Sequence, residues 1–429
     1  MAQKQRVYFC IDMKTFYASV ECAERGLNPF ETNLAVVDET RGKNALCLAI
    51  TPKMKAQGIK NRCRMSEIPK SINFIRALPR MQLYIDYAAD IYEIYLNYFA
   101  PQDIHVYSID ESFIDVTDYL PMYNIDAVSF AKKLMNEIAA KMHIPSTAGI
   151  GTNLYLAKIA LDITAKHSKD HIGYLDEELY IKTLWNHRPI TDFWQIAQGT
   201  ERRLAKYGIH DMEGIAKAPT DMLYKAFGVN AELLIDHAWG RESCLMEDIK
   251  NYRSKSKSVS FSQVLPSDYT YEQAKNVMME MVIHGCQEMM RRKVITNKVG
   301  IFVGYTFGGR GATGGTIRMI ATTNLPSHIQ PYVEQLFDKT TDKATPIRRL
   351  GINFEDVCDE GCEGYDLFTN FEEVEREKKR EHAILEIADK YGKNAILRGL
   401  NYMDGATQRE RNTFIGGHRA GFDDKTTKS

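Results

Sequence analysis

The sequence predicts a multidomain α+β protein, and three observations carry that prediction. At 429 residues the chain is long enough for roughly two to four domains. Over residues 1–170 strand, helix, acidic hairpin, helix and strand patterns alternate, as expected of a sheet with helices on one face. After a wholly helical stretch at 171–245, a second strand-and-helix module begins near residue 251.

Taken in order, "RVYFCIDM" reads as a strand and "FYASVECAER" as a helix, which puts Asp12 at the C-terminal end of the strand. Residues 30–80 mix the strand "LAVVDE", a helical stretch around "PKMKAQG" and several Gly/Pro interruptions, the pattern of a small inserted subdomain. Helical periodicity in "YIDYAADIYEIYLNYF" and "DAVSFAKKLMNEIAAKM" flanks "DIHVYSIDESFIDVT". That segment reads as two β-runs, 104–108 and 112–116, with Asp110 and Glu111 at their junction. A strand hides one of two adjacent side chains and exposes the other, whereas a turn lets both carboxylates reach one side; a solvated hairpin is the alternative.

"STAGIGT" is the next strand, and a strand leading into a helix explains "GIGTN", which lacks the third glycine of a dinucleotide fingerprint. Within the helical stretch, "RPITDFWQIAQGTERRLAKYGIHDMEGIAKA" holds two short helices around a tight connection. The second module runs through the helix "YEQAKNVMMEMVIHGCQEMMRRK", the strands "KVGIFVGYTFG" and "TIRMIATTN", the helix "IQPYVEQLFDKT" and the strand "IRRLGINFEDV". Its "GGRGATGG" joins two strands as a hairpin, because a phosphate-cradling loop needs a helix behind its glycines.

Composition narrows the function classes. No apolar run approaches the roughly 20 residues that cross a bilayer, and the N-terminus lacks a signal-peptide layout, so a cytoplasmic protein is expected. Eight scattered cysteines do not suggest a disulfide framework, and Cys358 and Cys362, the one close pair, have no companion His or Cys pair for a metal. The formal net charge is only −1, but residues 251–350 hold 14 Lys/Arg against 7 Asp/Glu, whereas 355–377 hold ten acidic residues and one basic. One module is suited to a polyanion and the segment after it to solvent.

Asp12, Asp110 and Glu111 thus stand at strand ends of one sheet. Clustered carboxylates repel unless cations lie between them, and hard oxygen donors favour magnesium. Two such ions, roughly 3.5 to 4 Å apart, activate an attacking hydroxyl and stabilise the leaving oxygen of a phosphoryl displacement.

With "FCIDMKTFYASVE", "LAITPKMKAQGIK", "YSIDESFIDVT", "GIGTNLYLAKIALD", "DFWQIAQGTERRLAKYGI" and "KSVSFSQVL" in this order, the chain resembles the Y-family DNA polymerases, in their UmuC-type, polymerase V catalytic-subunit branch. The closing "LRGLNYMDGATQRERNTFIGGHRAG" resembles the tail of Gram-positive members. The resemblance implies a right-hand polymerase: palm at 1–15 and 78–170, fingers at 16–77, a thumb with a helix-hairpin-helix at 171–250 and a little finger at 251–357. Residues 358–429 are then an acidic linker with a clamp-binding peptide and a helical tail. The implied activity is template-directed DNA synthesis in translesion synthesis, damage tolerance and the SOS response, on primer-template DNA and deoxynucleoside triphosphates, with two Mg2+ ions.

Position by position, the resemblance makes Asp12, Asp110 and Glu111 the catalytic, metal-binding carboxylates, with the main-chain carbonyl of Met13 a further ligand. Tyr17 matches the steric gate that lies under the sugar, its alternative being a core tyrosine; Phe16 is divided between core packing and sugar contact. Lys55 and Lys158 match basic positions near the incoming triphosphate. In the thumb, family members show a Gly-x-Gly turn after the Trp, but here Gln195, Ile196 and Ala197 follow Trp194, so phosphate contact is assigned to Gly199 and Thr200 and its strength is in doubt. Lys255, Lys257, Ser258 and Ser260 supply charge and hydroxyls along a strand that can follow a DNA backbone. "GYDLF" resembles, with Gly364 in place of the usual Gln, a sliding-clamp peptide anchored by Leu367 and Phe368; a packing anchor is the other reading. Accessory subunits are left open. A nucleotide cyclase with a related palm, or a DNA-binding accessory protein without catalysis, are the competing functions.

Overall fold

The computed structural model describes residues 5–254, 257–306, 311–365 and 369–421. The chain divides into two compact units, one of residues up to Arg253 together with those from Arg419 onward, the other Ser254–His418.

The first unit opens with β1 (Tyr8–Met13) and α1 (Phe16–Ala23), followed by β2 (Leu34–Val37), β3 (Cys47–Ile50), α2 (Pro52–Ala56) and β4 (Ile75–Ala77). Then come α3 (Met81–Leu96), β5 (Ile104–Val106), β6 (Glu111–Asp115), α4 (Tyr119–Tyr123), α5 (Ala127–Met142) and β7 (Ser146–Gly151). After β7 the chain enters α6 (Leu154–Ile159), a π-turn over Ala160–Thr164, α7 (Ala165–His167) and β8 (Ile172–Leu175). Its helical part follows as α8 (Glu177–Leu184), α9 (Gln198–Ala205), α10 (Met212–Lys217), α11 (Thr220–Phe227), α12 (Asn230–Ala238) and α13 (Met246–Asn251).

The main sheet has the order β5-β6-β1-β7-β8, with β7 and β8 parallel and the other pairs antiparallel. Helices cover both faces rather than the expected one. Phe9 packs its ring on Phe130 of α5, while Cys10, next along the strand and therefore on the opposite face, lies among Leu154, Ala157 and Leu161 of the α6 segment. That segment comes close because β7 is glycine-bearing: a Cβ on Gly149 would sit 2.1 Å from the Ala157 carbonyl oxygen, and one on Gly151 2.1 Å from the Ala157 nitrogen. Asn153 starts the helix by accepting the Leu156 N–H at 2.8 Å. The inserted subdomain is a three-stranded sheet, β3-β2-β4, with its own core of Val37, Cys47, Ile50 and Met54.

The second unit contains β9 (Ser258–Tyr269), α14 (Tyr271–Arg291), β10 (Val294–Tyr305), β11 (Thr313–Thr323), α15 (Pro326–Thr340), β12 (Ile347–Glu355), β13 (Cys358–Asp359) and α16 (Phe371–Tyr391). Its sheet, ordered β11-β10-β12-β9, shares one core with α14 and α15. The described part of 358–418 packs on this unit. Cys358–Asp359 pairs with β10, and α16 buries Val374 and Leu385 with Met290 and Leu325. Two acidic residues of this unit are buried: Glu280 accepts from Asn401 Nδ2 and the Thr407 N–H, each at 2.8 Å, and Glu381 pairs with Arg398 and Arg380. Hydrogen bonds of this kind offset the desolvation of the carboxylates and let a charged segment pack.

All eight cysteines are free. Among the described residues no helix is long and apolar enough to cross a membrane.

Candidate active site

The acidic pair sits where a tight hairpin meets the sheet. The N–H groups of Tyr107 and Ser108 both reach the Glu111 carbonyl, at 3.0 and 3.1 Å, so β5 turns directly into β6 with Asp110 in the turn. Antiparallel register sets Asp12 of β1 opposite Glu111, and the Met13 N–H donates to the Asp110 carbonyl at 2.9 Å. Directly opposed residues in such a pair project to the same face, so Asp12 and Glu111 share the face that α6 covers. Ser108 Oγ holds Asp110 through a 2.7 Å bond to its Oδ1.

The electrostatics record the crowding. Burial first, then repulsion from Asp110 and Glu111, push the Asp12 carboxyl up to about 8. Glu111 is relieved locally: Cys10 Sγ donates to its Oε1 at 3.1 Å and Lys158 Nζ to its Oε2 at 2.8 Å. Lys158 also reaches Asp162 on the π-turn at 3.3 Å. Burial opposes its charge, yet Cys10, Asp162 and Glu111 together hold its pKa above the ordinary lysine value.

Glu111 turns to Lys158, and no three Asp, Glu, His or Cys side chains among the described residues are grouped closely enough to enclose a metal ion. The donor chemistry nevertheless fits a hard cation, being carboxylate oxygen throughout, with Asp110 and Glu111 repelling the charge on Asp12.

Beside Asp12 opens a cleft of about 290 Å3 lined by Lys14, Lys55, Lys166, Thr15 and Asp162. Burial lowers the pKa of Lys14, and of Lys55, against the pull of Asp12; Lys55 lowers it further for Lys14, and Lys166 for Lys55. Three mutually repelling ammonium groups around one space favour a polyanionic ligand. The sequence reading found Lys55 but missed Lys14 and Lys166, and its Lys158 is buried on Glu111 rather than lining the cleft. The spacing of Lys158, Asp162 and Lys166, four apart along one helical stripe, was the available signal.

Tyr17 is half-buried, with its pKa raised by burial and then by Asp110, and its ring stacks on Tyr84 with centroids 4.6 Å apart. Phe16 is buried in the core, its ring centroid 5.8 Å from that of Tyr17. Trp194 Nε1 donates to the Tyr107 hydroxyl at 3.2 Å, tying the helical part to the acidic hairpin. In the turn after Trp194 it is Gln195 that adopts the left-handed conformation, φ 69°, at the position where glycine would be at ease. Gly199 and Thr200 lie in the first turn of α9, where the Thr200 N–H is bonded to the Ala197 carbonyl at 2.9 Å.

In the second unit, β9 ends the sheet among the described residues, pairing with β12. Ser258 and Ser260 are exposed on it, and Ser260 Oγ bonds Asn353 at 2.7 Å. Lys257 is exposed just before the strand, while Lys255 lies outside the described residues. The open face beside these serines carries a shallow depression lined by Gly300, Gly315, Gly351 and Phe302, a surface with few side chains to hold a backbone off. Leu367 and Phe368 also lie outside the described residues; Gly364, at the start of the same peptide, bridges to Thr322.

Comparison with known proteins places this geometry in a family. Residues 11–162 match the impB/mucB/samB family and residues 256–367 its C-terminal domain. The chain is 33% identical over 420 residues to the putative UV-damage repair protein UvrX of Bacillus subtilis strain 168, covering 96% of this chain and 97% of that one. DNA polymerase IV 2 of the same organism is 28% identical over 427 residues, covering 97% and 99%. A solved Y-family DNA polymerase chimera superposes with a TM-score of 0.62 at 18% identity, over 82% of this chain and all of that one, and it shares the fold. The chain therefore belongs to the impB/mucB/samB family, the UmuC-type Y-family DNA polymerases.

Proposed function

We propose that Asp12, Asp110 and Glu111 are the catalytic carboxylates of this translesion DNA polymerase and that the lysine-lined cleft beside them receives the triphosphate of the incoming nucleotide. Membership of the family makes the chain a DNA-directed DNA polymerase acting in damage tolerance, and the cyclase and non-catalytic readings are not favoured. The observation that carries the assignment is the meeting of two like-charged clusters of opposite sign at Asp12: carboxylates on one side, Lys14, Lys55 and Lys166 on the other.

Asp12, Asp110, Glu111 and the Met13 carbonyl are the residues that would hold two Mg2+ ions. Bound there, the ions supply charge neutralisation for the carboxylates and Lewis-acid polarisation of the reacting oxygens. The chain's own lysines orient the phosphates and stabilise their charge. Lys158 keeps Glu111 satisfied in the free enzyme, so its role is to position that carboxylate. Tyr17, beside Asp110 and braced by Tyr84, is assigned to sugar selection, since a ring under the sugar clashes with a 2′-hydroxyl.

The palm, fingers and thumb boundaries within the first unit, and the little finger beyond it, follow the same reading. Ser258, Ser260 and Lys257 on the edge strand, together with the glycine-lined face, suit non-specific contact with primer-template DNA. Gly199, at the start of α9, remains assigned to phosphate contact. Leu367 and Phe368 are assigned to the sliding clamp on the strength of their acidic surroundings. Primer extension with magnesium and four deoxynucleotides is the test: Asp110→Ala combined with Glu111→Ala should abolish extension and retain primer-template binding. Substantial extension by that double variant would exclude the assignment.

A further inference from the structure

The C-terminal end of the described chain returns to the first unit and closes on residues that stand behind Tyr17. Arg419 Nε donates to Asp38 Oδ2 and its terminal nitrogen to Thr40 Oγ1, both at 3.0 Å. Ala420 is buried, and its carbonyl accepts the Gln82 N–H at 2.9 Å. That N–H is one of the first-turn donors of α3, which a helix leaves unpaired unless something caps them. Arg80 holds the N-cap position without capping through its side chain, because that side chain is committed elsewhere. Gly421 then lies against Arg80: with φ +83°, it has no room for a Cβ, which would come within 2.7 Å of the Arg80 Cα.

Arg80 is committed to Glu21. Its Nε and one terminal nitrogen each donate to a different Glu21 oxygen at 2.9 Å, and Tyr84 donates to the same carboxylate at 2.8 Å. Arg25 pairs with it as well, and the Glu21 side chain is wholly buried. Two i,i+4 pairs are thereby locked together. Tyr17 and Glu21 stand one turn apart on α1, Arg80 and Tyr84 one turn apart at the start of α3, with the Tyr17 and Tyr84 rings stacked 21° from parallel. A displacement of Arg80 is passed through Glu21 to Tyr84, which donates to that carboxylate and stacks on the Tyr17 ring.

We propose that Arg419–Gly421 is a specificity-determining clasp: by seating Arg80 it fixes the Glu21–Tyr84 brace behind Tyr17, and so sets how strongly this polymerase rejects ribonucleotides. The proposal rests on the reading of Tyr17 as the sugar gate. Arg419, Arg80 and Glu21 act through Tyr17 and are positioning residues. None of them needs to touch the nucleotide.

The readout is the ratio of kcat/KM for a ribonucleotide to that for its deoxynucleotide at one template position, measured on the full chain. This ratio is untouched by a loss of active protein, which scales both terms equally. Arg419→Ala removes the grip on Asp38 and Thr40, and Gly421→Val drives the tail from Arg80; each should raise the ratio by about threefold to tenfold, the range expected for coupling through a packed network. Arg419→Lys, which keeps the charge opposite Asp38, should return the ratio toward the parent value. Arg419→Ala added to Tyr17→Ala should raise the ratio no further than Tyr17→Ala alone. Parent ratios in both Arg419→Ala and Gly421→Val, with a raised ratio in Tyr17→Ala, would overturn the clasp and leave the gate standing. A parent ratio in Tyr17→Ala would overturn the gate and the clasp with it.

Discussion

Lys158→Met tests the inner geometry of the carboxylate cluster most directly. The substitution keeps most of the side-chain volume and removes the ammonium that lies 2.8 Å from Glu111 and 3.3 Å from Asp162. At the shorter distance a unit charge pair attracts by about 6 kcal/mol at an effective dielectric of about 20. Removing the lysine also removes its own desolvation cost, so the net loss should be about 3 kcal/mol, the lower end for breaking a buried pair by deleting one partner. Both side chains of the pair are only about a tenth exposed, 10% and 9%, which is why the figure exceeds that of a surface pair. The three tryptophans, Trp185, Trp194 and Trp239, all lie in the first unit, and Trp185 and Trp194 pack on the core that contains Ile159 of α6. Urea unfolding followed by tryptophan fluorescence therefore reports on the relevant unit. Glu111→Gln combined with Lys158→Met should recover about 2 kcal/mol relative to the single variant. Added magnesium should stabilise Lys158→Met more than that double variant, because it replaces charge only where the carboxylate remains. A loss below about 1 kcal/mol for Lys158→Met, the range of exposed ion pairs, would refute the buried-pair account.

The remaining expectations concern pH, sugar choice and the tail. Asp12 has a folded pKa of about 8 against an ordinary 3.8, so the folded state holds an extra proton between those values. Stability of the metal-free enzyme should accordingly fall as pH rises through that window and level off above it; in thermal unfolding, Asp12→Asn should flatten the slope. Tyr17→Ala should raise ribonucleotide incorporation about tenfold or more, roughly 1.4 kcal/mol of lost discrimination, in single-nucleotide extension. Glu280→Ala leaves the Asn401 and Thr407 donors without their shared acceptor; it should cost about 2–4 kcal/mol locally, seen as faster hydrogen exchange over residues 398–412. Leu367→Ala with Phe368→Ala should abolish stimulation by a loaded clamp and leave basal extension of a short primer unchanged.

What was legible in the sequence was local. The strand-turn-strand pattern around Asp110 and Glu111, the strand ending at Asp12 and the helical run from Glu177 each depend on spacing over a few residues, which periodicity reports faithfully. The separate small sheet of residues 34–77 was visible as a break in that periodicity. The second covered face of the main sheet was not, because β1 is apolar on both sides and an apolar run does not say what packs on it.

The burial of Glu280 and Glu381 was not legible for a different reason: local spacing shows a helix but not which of its charges meets a partner. The partner of Glu280 stands far off along the chain, Thr407 at a separation of 127 residues, as does Arg419 at 381 from Asp38, whereas Glu381 finds Arg380 beside it and Arg398 17 residues on. Charge in a sequence marks a solvated face only until a partner is brought to it; a burial cost of several kcal/mol per ion makes the paired exceptions rare but functionally concentrated.

The same physics explains why the cleft was half-seen. Lys14, Lys55 and Lys166 come from three separate parts of the fold, and only folding sets Lys55 beside Lys14, Lys166 and Asp12. In the free enzyme each cluster is unfavourable by itself: burial and then the neighbouring carboxylates raise the Asp12 pKa, and burial and then a neighbouring ammonium lower those of Lys14 and Lys55. A cation relieves the first cluster and a polyphosphate the second, and each ligand also carries the charge that attracts the other. A site built from two self-repelling halves thus favours the pair of ligands over either alone, which is the electrostatic form of requiring metal and nucleotide together.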